Sequence, residues 1–387
     1  MRTADRLDRL PPYIFATVEK RIAEQRAKGV DVINLGIGSP DLAPPRFIID
    51  ALYEASLRSD THGYPGYYGT PALRAAIARY YARRFGVNLD PDSEILPLLG
   101  SKEGLANIAL AFVDPGDYVL APVPGYPTYR MGALMAGGEF YAMPLLEEQD
   151  YLVDFGAIPD DVLARATLMW LNYPNNPTGA VAPLSFLQEA VDLARAHDLL
   201  ICYDNPYCEV TFDGYIAPSI LQVPGAKEVA VEFNSLSKTY NMAGWRVGMV
   251  VGNAKAIAAL TTIKTNIDSG IFLPLQHAAV AALEGDQDWL RERNLIYQRR
   301  RDIILEWLPK LGMTAHPPKG GLYVWARAPE GIECEAFAFR VLDQTGVWMT
   351  FGTAFGEYGA GHLRLSLCVS EERLKQVGER LSRIQHL

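Results

Sequence analysis

The chain alternates short apolar runs with longer amphipathic stretches, the pattern of a sheet whose strands are joined by helices. Leu168 to Leu171, Leu199 to Tyr203, Val229 to Phe233 and Val247 to Val251 are nearly continuous apolar runs of strand length. A strand that is apolar at every position is covered on both faces, so these runs belong inside a sheet flanked by helices. Between the first two, Leu184, Leu187, Val191 and Ala194 recur at helical spacing, which predicts a βαβ unit with a parallel crossover. Ala72 to Phe85 and Leu105 to Val113 predict further helices, and Gln287 to Leu311 a long charged one. The fold class that follows is α/β, a mostly parallel sheet flanked by helices in a large domain spanning 46–285. A smaller α+β domain is expected from 286–387 together with the N-terminal arm, 1–45.

Composition agrees with this division. At 387 residues and 49% apolar content the chain can bury a core in each of two domains. A formal net charge of −9 disfavours a nucleic-acid partner. The four cysteines, Cys202, Cys208, Cys334 and Cys368, form no CxxC pair, which suits a reducing cytoplasm and argues against a zinc site. No segment reaches the roughly 18 consecutive apolar residues of a membrane span. Met1 to Pro12 lacks the apolar stretch of a signal peptide, so a cytoplasmic protein is expected.

The candidate chemistry centres on Lys238 in Ser235-Leu236-Ser237-Lys238-Thr239-Tyr240-Asn241-Met242-Ala243-Gly244-Trp245-Arg246. Most lysines are solvated surface charges. This one falls in the turn between two buried runs, where its amine can be held rigidly for Schiff-base chemistry, while Ser235 and Arg246 offer a hydroxyl and a forked guanidinium to a phosphate. Ser101, in Gly100-Ser101-Lys102-Glu103-Gly104, reads as a helix N-cap beside free backbone amides that suit an anion. Pro124-Gly125-Tyr126-Pro127-Thr128-Tyr129 is a proline-braced aromatic turn, and Asn172-Tyr173-Pro174-Asn175-Asn176-Pro177-Thr178-Gly179 a turn directly after a strand. Asp204 is an acid at the carboxyl end of a buried strand, with Tyr207 three residues on. Arg364 alternates with Leu363 and Leu365 and so points away from a packed face. Asn176, Asp204 and Lys238 all fall past the carboxyl ends of strands, where such sheets bind ligands. Gly36-Ile37-Gly38-Ser39-Pro40 is half of a dinucleotide fingerprint, without its last glycine.

In this order, over nearly the whole chain, these segments resemble the class I/II aminotransferases of the aspartate aminotransferase fold, the fold type I transferases that carry pyridoxal 5'-phosphate (PLP). The resemblance implies that Lys238 bonds the cofactor, and that Ser101, Lys102, Ser235 and Arg246 hold its phosphate. Tyr126 would lie against the pyridine face, and Asn176 and Tyr207 would donate to the phenolic oxygen. Asp204 would pair with the protonated pyridine nitrogen, a charge-assisted bond that makes the ring an electron sink. Lys238, Asp204 and Tyr207 are thus the implied catalytic residues. Arg364 and the backbone at Gly38 would take the substrate carboxylate, with Asn176 and Tyr13 nearby. A homodimer is implied as well, in which Tyr64 of the Tyr64-Pro65-Gly66-Tyr67-Tyr68-Gly69 loop reaches the neighbour's phosphate and Tyr67 and Tyr68 line its substrate pocket. The reaction would move an amino group from an L-amino acid to a 2-oxo acid in ping-pong order, with 2-oxoglutarate and glutamate as one pair.

Within the family, Ile33 to Gly38, Ser235 to Gly244 and Leu322 to Trp325 are similar to the bacterial LL-diaminopimelate aminotransferase group. That group generally carries an acid before the glycine matching Gly69, where this chain has Tyr67-Tyr68, and Phe272 and Leu273 are expected to add apolar character there. Aspartate, alanine or aromatic donors remain alternatives, as does a C–S lyase on the same cofactor shell. A serine hydrolase of the Ser-x-x-Lys type is a rival reading of Ser235 to Lys238 and Tyr203-Asp204-Asn205, but the motif order is reversed and no Lys-Thr-Gly exists.

Overall fold

The computed structural model describes residues 1–10 and 14–382, so Tyr13 lies outside the described residues. Its strands in chain order are β1 (Ile33–Asn34), β2 (Ile95–Leu98), β3 (Tyr118–Val123), β4 (Glu139–Pro144), β5 (Ala166–Leu171) and β6 (Leu200–Asp204). They continue with β7 (Ala230–Ser235), β8 (Gly248–Gly252), β9 (Tyr323–Arg327), β10 (Val347–Trp348), β11 (Thr350–Phe351) and β12 (His362–Ser366). One sheet has the order β2-β8-β7-β6-β5-β3-β4. Its pairings are parallel from β4 through β7, while β8 runs antiparallel to both of its neighbours.

Alternation along each strand sends side chains to opposite faces. Leu168 and Trp170 join Cys202, Phe233 and Val250 in a core beneath the helices Ser101–Phe112 and Ala254–Thr265. Met169 and Leu171 join Ile201, Tyr203 and Val251 in a second core on the other face, beneath the helices Pro71–Phe85, Leu184–His197 and Leu273–Glu284. The apolar runs are thus continuous because both faces are covered.

A third core unites the N-terminal segment with the C-terminal part. Val18, Ile22, Ile33 and Leu35 are buried among Tyr297, Ile304, Trp325's neighbours Val324 and Ala326, Leu363 and Leu374. The antiparallel sheet β11-β12-β9 lies here, and β1 pairs in parallel with β10, tying the chain's beginning to its end. The helix Asp288–Trp307 runs from the large sheet into this core. Among the described residues, no helix is long and apolar enough to cross a membrane.

Candidate active site

Between β3 and β5 the sheet's connectivity reverses, since β3 leads outward to β4 while β5 leads back through β6 to β7. Such a switch point leaves a crevice past the carboxyl ends of the strands. A cavity of about 420 Å³ opens there, lined by Gly36, Gly38, Ser101, Lys102, Tyr126, Asn176, Asp204, Tyr207, Ser235, Lys238, Arg246 and Arg364. Of the residues picked from the sequence, these come together. Tyr64, Tyr67 and Tyr68 do not line it; they are exposed on the same chain, as is Phe272, whose ring faces His62.

Lys238 sits in a single helical turn, Leu236–Thr239, that follows β7 directly. Ser235 caps the turn by accepting from the Ser237 amide at 3.2 Å. The Lys238 Nζ donates to the Gly38 carbonyl at 2.5 Å. The other end of the turn is held by Arg293, 1% exposed, which donates to the Lys238 carbonyl at 2.7 Å and also to that of Thr239. Gly38 admits no side chain, because a Cβ there would lie 1.8 Å from the Tyr323 hydroxyl.

Ser101 does not cap its helix. Gly100 holds the N-cap position at φ 74°, and Ser101 is the first residue of the helix Ser101–Phe112, which starts four residues ahead of the expected apolar stretch. A Cβ on Gly100 would lie 2.2 Å from Nη2 of Arg246, so only glycine lets the turn close over the guanidinium. No side chain caps the helix start, which leaves its backbone amides to an anion. Arg246 itself adopts a left-handed conformation at φ 59°.

Asp204 ends β6 on the same face as Cys202 and accepts from the Tyr129 hydroxyl at 2.7 Å through Oδ2. Tyr129 stacks on Trp170, with ring centroids 4.7 Å apart. The Asp204 Oδ1 is buried with no hydrogen-bond partner. Burial pushes this carboxyl up to about 7, against the smaller pull of the Tyr129 hydroxyl. A buried acceptor without a donor costs about 1–3 kcal/mol, so it marks a place where a ligand N–H belongs. Asn172 holds the backbone around it, donating to the Asp204 carbonyl at 2.7 Å and accepting from the Asn176 amide at 2.8 Å.

Arg364 is buried on β12, with its guanidinium 4.0 Å from the Tyr323 ring centroid and 4.4 Å from that of Phe355. It donates to the Asn176 Oδ1 at 2.8 Å and to the Gly36 carbonyl at 2.6 Å, and its Nε has no partner. Among the described residues no carboxylate faces it. A buried guanidinium without a counter-ion is poised for an anion, and the two rings fix its plane for a bidentate one.

Sequence reasoning missed Tyr129, Asn172, Arg293, Tyr323 and Phe355. It also missed Glu19, an exposed acid on the helix Ile14–Ala27 that lines the cavity. Tyr129, Asn172 and Tyr323 stand inside motif segments quoted above, where nothing local marks their roles, and Arg293 inside the expected charged helix, while Phe355 and Glu19 stand in none of them; each is brought in by tertiary packing.

The geometry fits PLP. The cavity provides a lysine amine, an aromatic face at Tyr126, an orphaned carboxylate oxygen for the pyridine nitrogen, and a glycine-turned helix start packed on Arg246 for the phosphate. Residues 30–381 match the family described as aminotransferase class I and II, and the chain belongs to that family. It is a PLP-dependent aminotransferase of fold type I. An LL-diaminopimelate aminotransferase of Moorella thermoacetica is 52% identical over 99% of this chain and 98% of its own length. Apo-BacF from Bacillus subtilis superimposes with a TM-score of 0.95 at 40% identity, covering 99% and 98% of the two chains. A mutant aspartate aminotransferase of Thermus thermophilus does so with a TM-score of 0.92 at 31% identity, covering 99% and 100%.

Proposed function

We propose that this aminotransferase takes LL-diaminopimelate as amino donor and 2-oxoglutarate as acceptor, and that the residues of the cavity divide the work as follows. Ser101, Lys102, Ser235 and Arg246 hold the cofactor phosphate, and Tyr126 lies on the ring. PLP supplies an electron sink for the pair left at the substrate Cα. Asp204 holds a proton on the pyridine nitrogen, with Tyr129 fixing the carboxylate's orientation. Asn176 has its oxygen engaged by Arg364, which leaves its amide hydrogens to donate to the phenolic oxygen alongside Tyr207. Arg364 takes the α-carboxylate and sets the angle of the Cα–H bond. The freed Lys238 amine, kept close by the Gly38 carbonyl, carries the proton between Cα and the cofactor carbon.

The observation that carries this reading is the Asp204 Oδ1, buried without a partner in the wall that also holds Lys238. Lys238→Ala is expected to lose transamination by about three orders of magnitude or more, since it deletes both covalent anchor and proton carrier. Full turnover by that variant sinks the assignment.

The choice of donor is supported by the names of the relatives and by Glu19, an acid able to meet a distal ammonium. Tyr67 and Tyr68 favour a second reading, an apolar or aromatic donor, because an ammonium left beside aromatics without an acid is costly. A panel of amino donors against 2-oxoglutarate separates the two. We further propose a homodimer in which Tyr64, 92% exposed, reaches the partner's phosphate site. Two domains at 46–285 and at 1–45 with 286–387 are likewise our reading, as is a cytoplasmic location, to which four free buried cysteines are suited.

A further inference from the structure

Behind the phosphate end of the cavity lies a buried charge cluster that no step above uses. Lys264, 1% exposed on the helix Ala254–Thr265, donates to the Glu103 Oε1 at 3.0 Å and Oε2 at 3.3 Å, and to the Asp268 Oδ2 at 2.6 Å. Glu103 is the third residue of the helix whose first two, Ser101 and Lys102, line the cavity. Its Oε2 also accepts from the Leu99 amide at 2.7 Å, so the carboxylate closes a ring around Gly100, the turn that rests on Arg246. At the far side, Asp268 Oδ1 accepts from the Gly270 amide at 2.7 Å. The Gly270 backbone abuts the loop of Tyr64, since a Cβ there would lie 2.1 Å from the Gly66 carbonyl oxygen.

A carboxylate in the first turn favours the helix dipole but repels a phosphate bound at the same helix start. Burial pushes Glu103 up from its ordinary value, while Lys264 and the Leu99 amide both favour its charged form. We propose that Lys264 is a positioning residue of the cofactor site: it neutralises Glu103 and clamps the turn from Leu99 to Glu103, so that the helix start can receive the phosphate. The inference rests on the reading of Ser101, Lys102 and Arg246 as the phosphate site.

The test compares the affinity of the cofactor-free protein for PLP and for pyridoxal, which lacks the phosphate, each followed by absorbance. Lys264→Met should weaken PLP by about tenfold or more while leaving pyridoxal nearly unchanged, because an uncompensated carboxylate then opposes only the phosphate. Equal weakening of both ligands, or of neither, overturns the proposal. If Lys264→Met fails to fold, Glu103→Gln with Lys264→Met keeps the cluster's net charge, and its ratio of PLP to pyridoxal affinity should still fall below that of the parent. A parental ratio in that double variant refutes the clamp. Ser101→Ala separates the two claims: an unchanged ratio there overturns the phosphate site itself, whereas a lowered ratio there with unchanged Lys264 variants overturns only the role of Lys264.

Discussion

Arg293 donates through Nη1 to the carbonyl of Lys238 at 2.7 Å, so the reactive lysine is fixed from behind by a cation on another helix. The same guanidinium reaches the Glu209 carbonyl at 2.5 Å, two residues after Tyr207. One buried side chain thereby ties together the segments that carry Lys238 and Tyr207. Cations suit the carboxyl end of a helical turn, where carbonyls lack partners. Arg293→Met leaves the Lys238 and Thr239 carbonyls without this donor, while the Glu209 carbonyl keeps the Asn294 side-chain amide at 2.9 Å, and about 2 kcal/mol or more of stability should be lost. Arg293→Lys should recover part of it. Urea unfolding of the two variants checks this; a Met variant as stable as the parent contradicts the anchoring role.

The acid at the end of β6 gives the cofactor-free protein a definite pH dependence. Burial raises Asp204 to about 7 when folded, against about 3.9 when unfolded. The folded state then holds more protons between those values, so stability is full at low pH and falls as pH rises through the folded value. Glu232, also pushed up to about 7 by burial, adds to the slope but is untouched by a change at Asp204. Asp204→Asn should therefore flatten the fall in stability between pH 5 and pH 8, by an amount on the order of a few kcal/mol. Identical slopes for parent and variant, read from urea midpoints at several pH values, rule this out.

Exchange of Tyr64 between subunits can be read by complementation. Lys238→Ala and Tyr64→Ala should each be impaired alone. A mixed dimer contains one site with both residues intact, because two-fold symmetry makes the exchange reciprocal. Activity should return when the two variants are unfolded together and refolded as a mixture. No recovery in mixtures shown by mass to contain the hybrid dimer places Tyr64 in its own chain's site.

Specificity is predicted to lie with Glu19, Tyr67 and Tyr68. Glu19→Gln should lower kcat/KM for LL-diaminopimelate relative to an aromatic donor, and Tyr68→Glu should raise it. Each change is expected to be roughly tenfold if one charge-assisted bond of about 1.5–3 kcal/mol is lost or gained. If Tyr68→Glu weakens all donors alike together with the dimer, the tyrosines only pack the interface.

The sequence alone determined the sheet's middle strands and the residues at their ends, because burial on both faces writes continuous apolar runs and the chemistry follows directly after them. Lys238, Asp204, Asn176 and Arg364 were legible for that reason, each sitting within a few residues of a strand's end or on a strand. The role of Ser101 was misread, since a hydroxyl before an apolar stretch looks like a cap. Only the close approach of Arg246 shows why glycine must take the cap position instead. Tyr129 on Asp204, Tyr323 and Phe355 around Arg364, Arg293 behind Lys238 and Lys264 beneath Glu103 were decided by the tertiary structure. Apart from Phe355, nine residues before Arg364, their partners lie 41 or more residues away in the chain, and no local periodicity or spacing encodes a contact that exists only once separate elements have packed together.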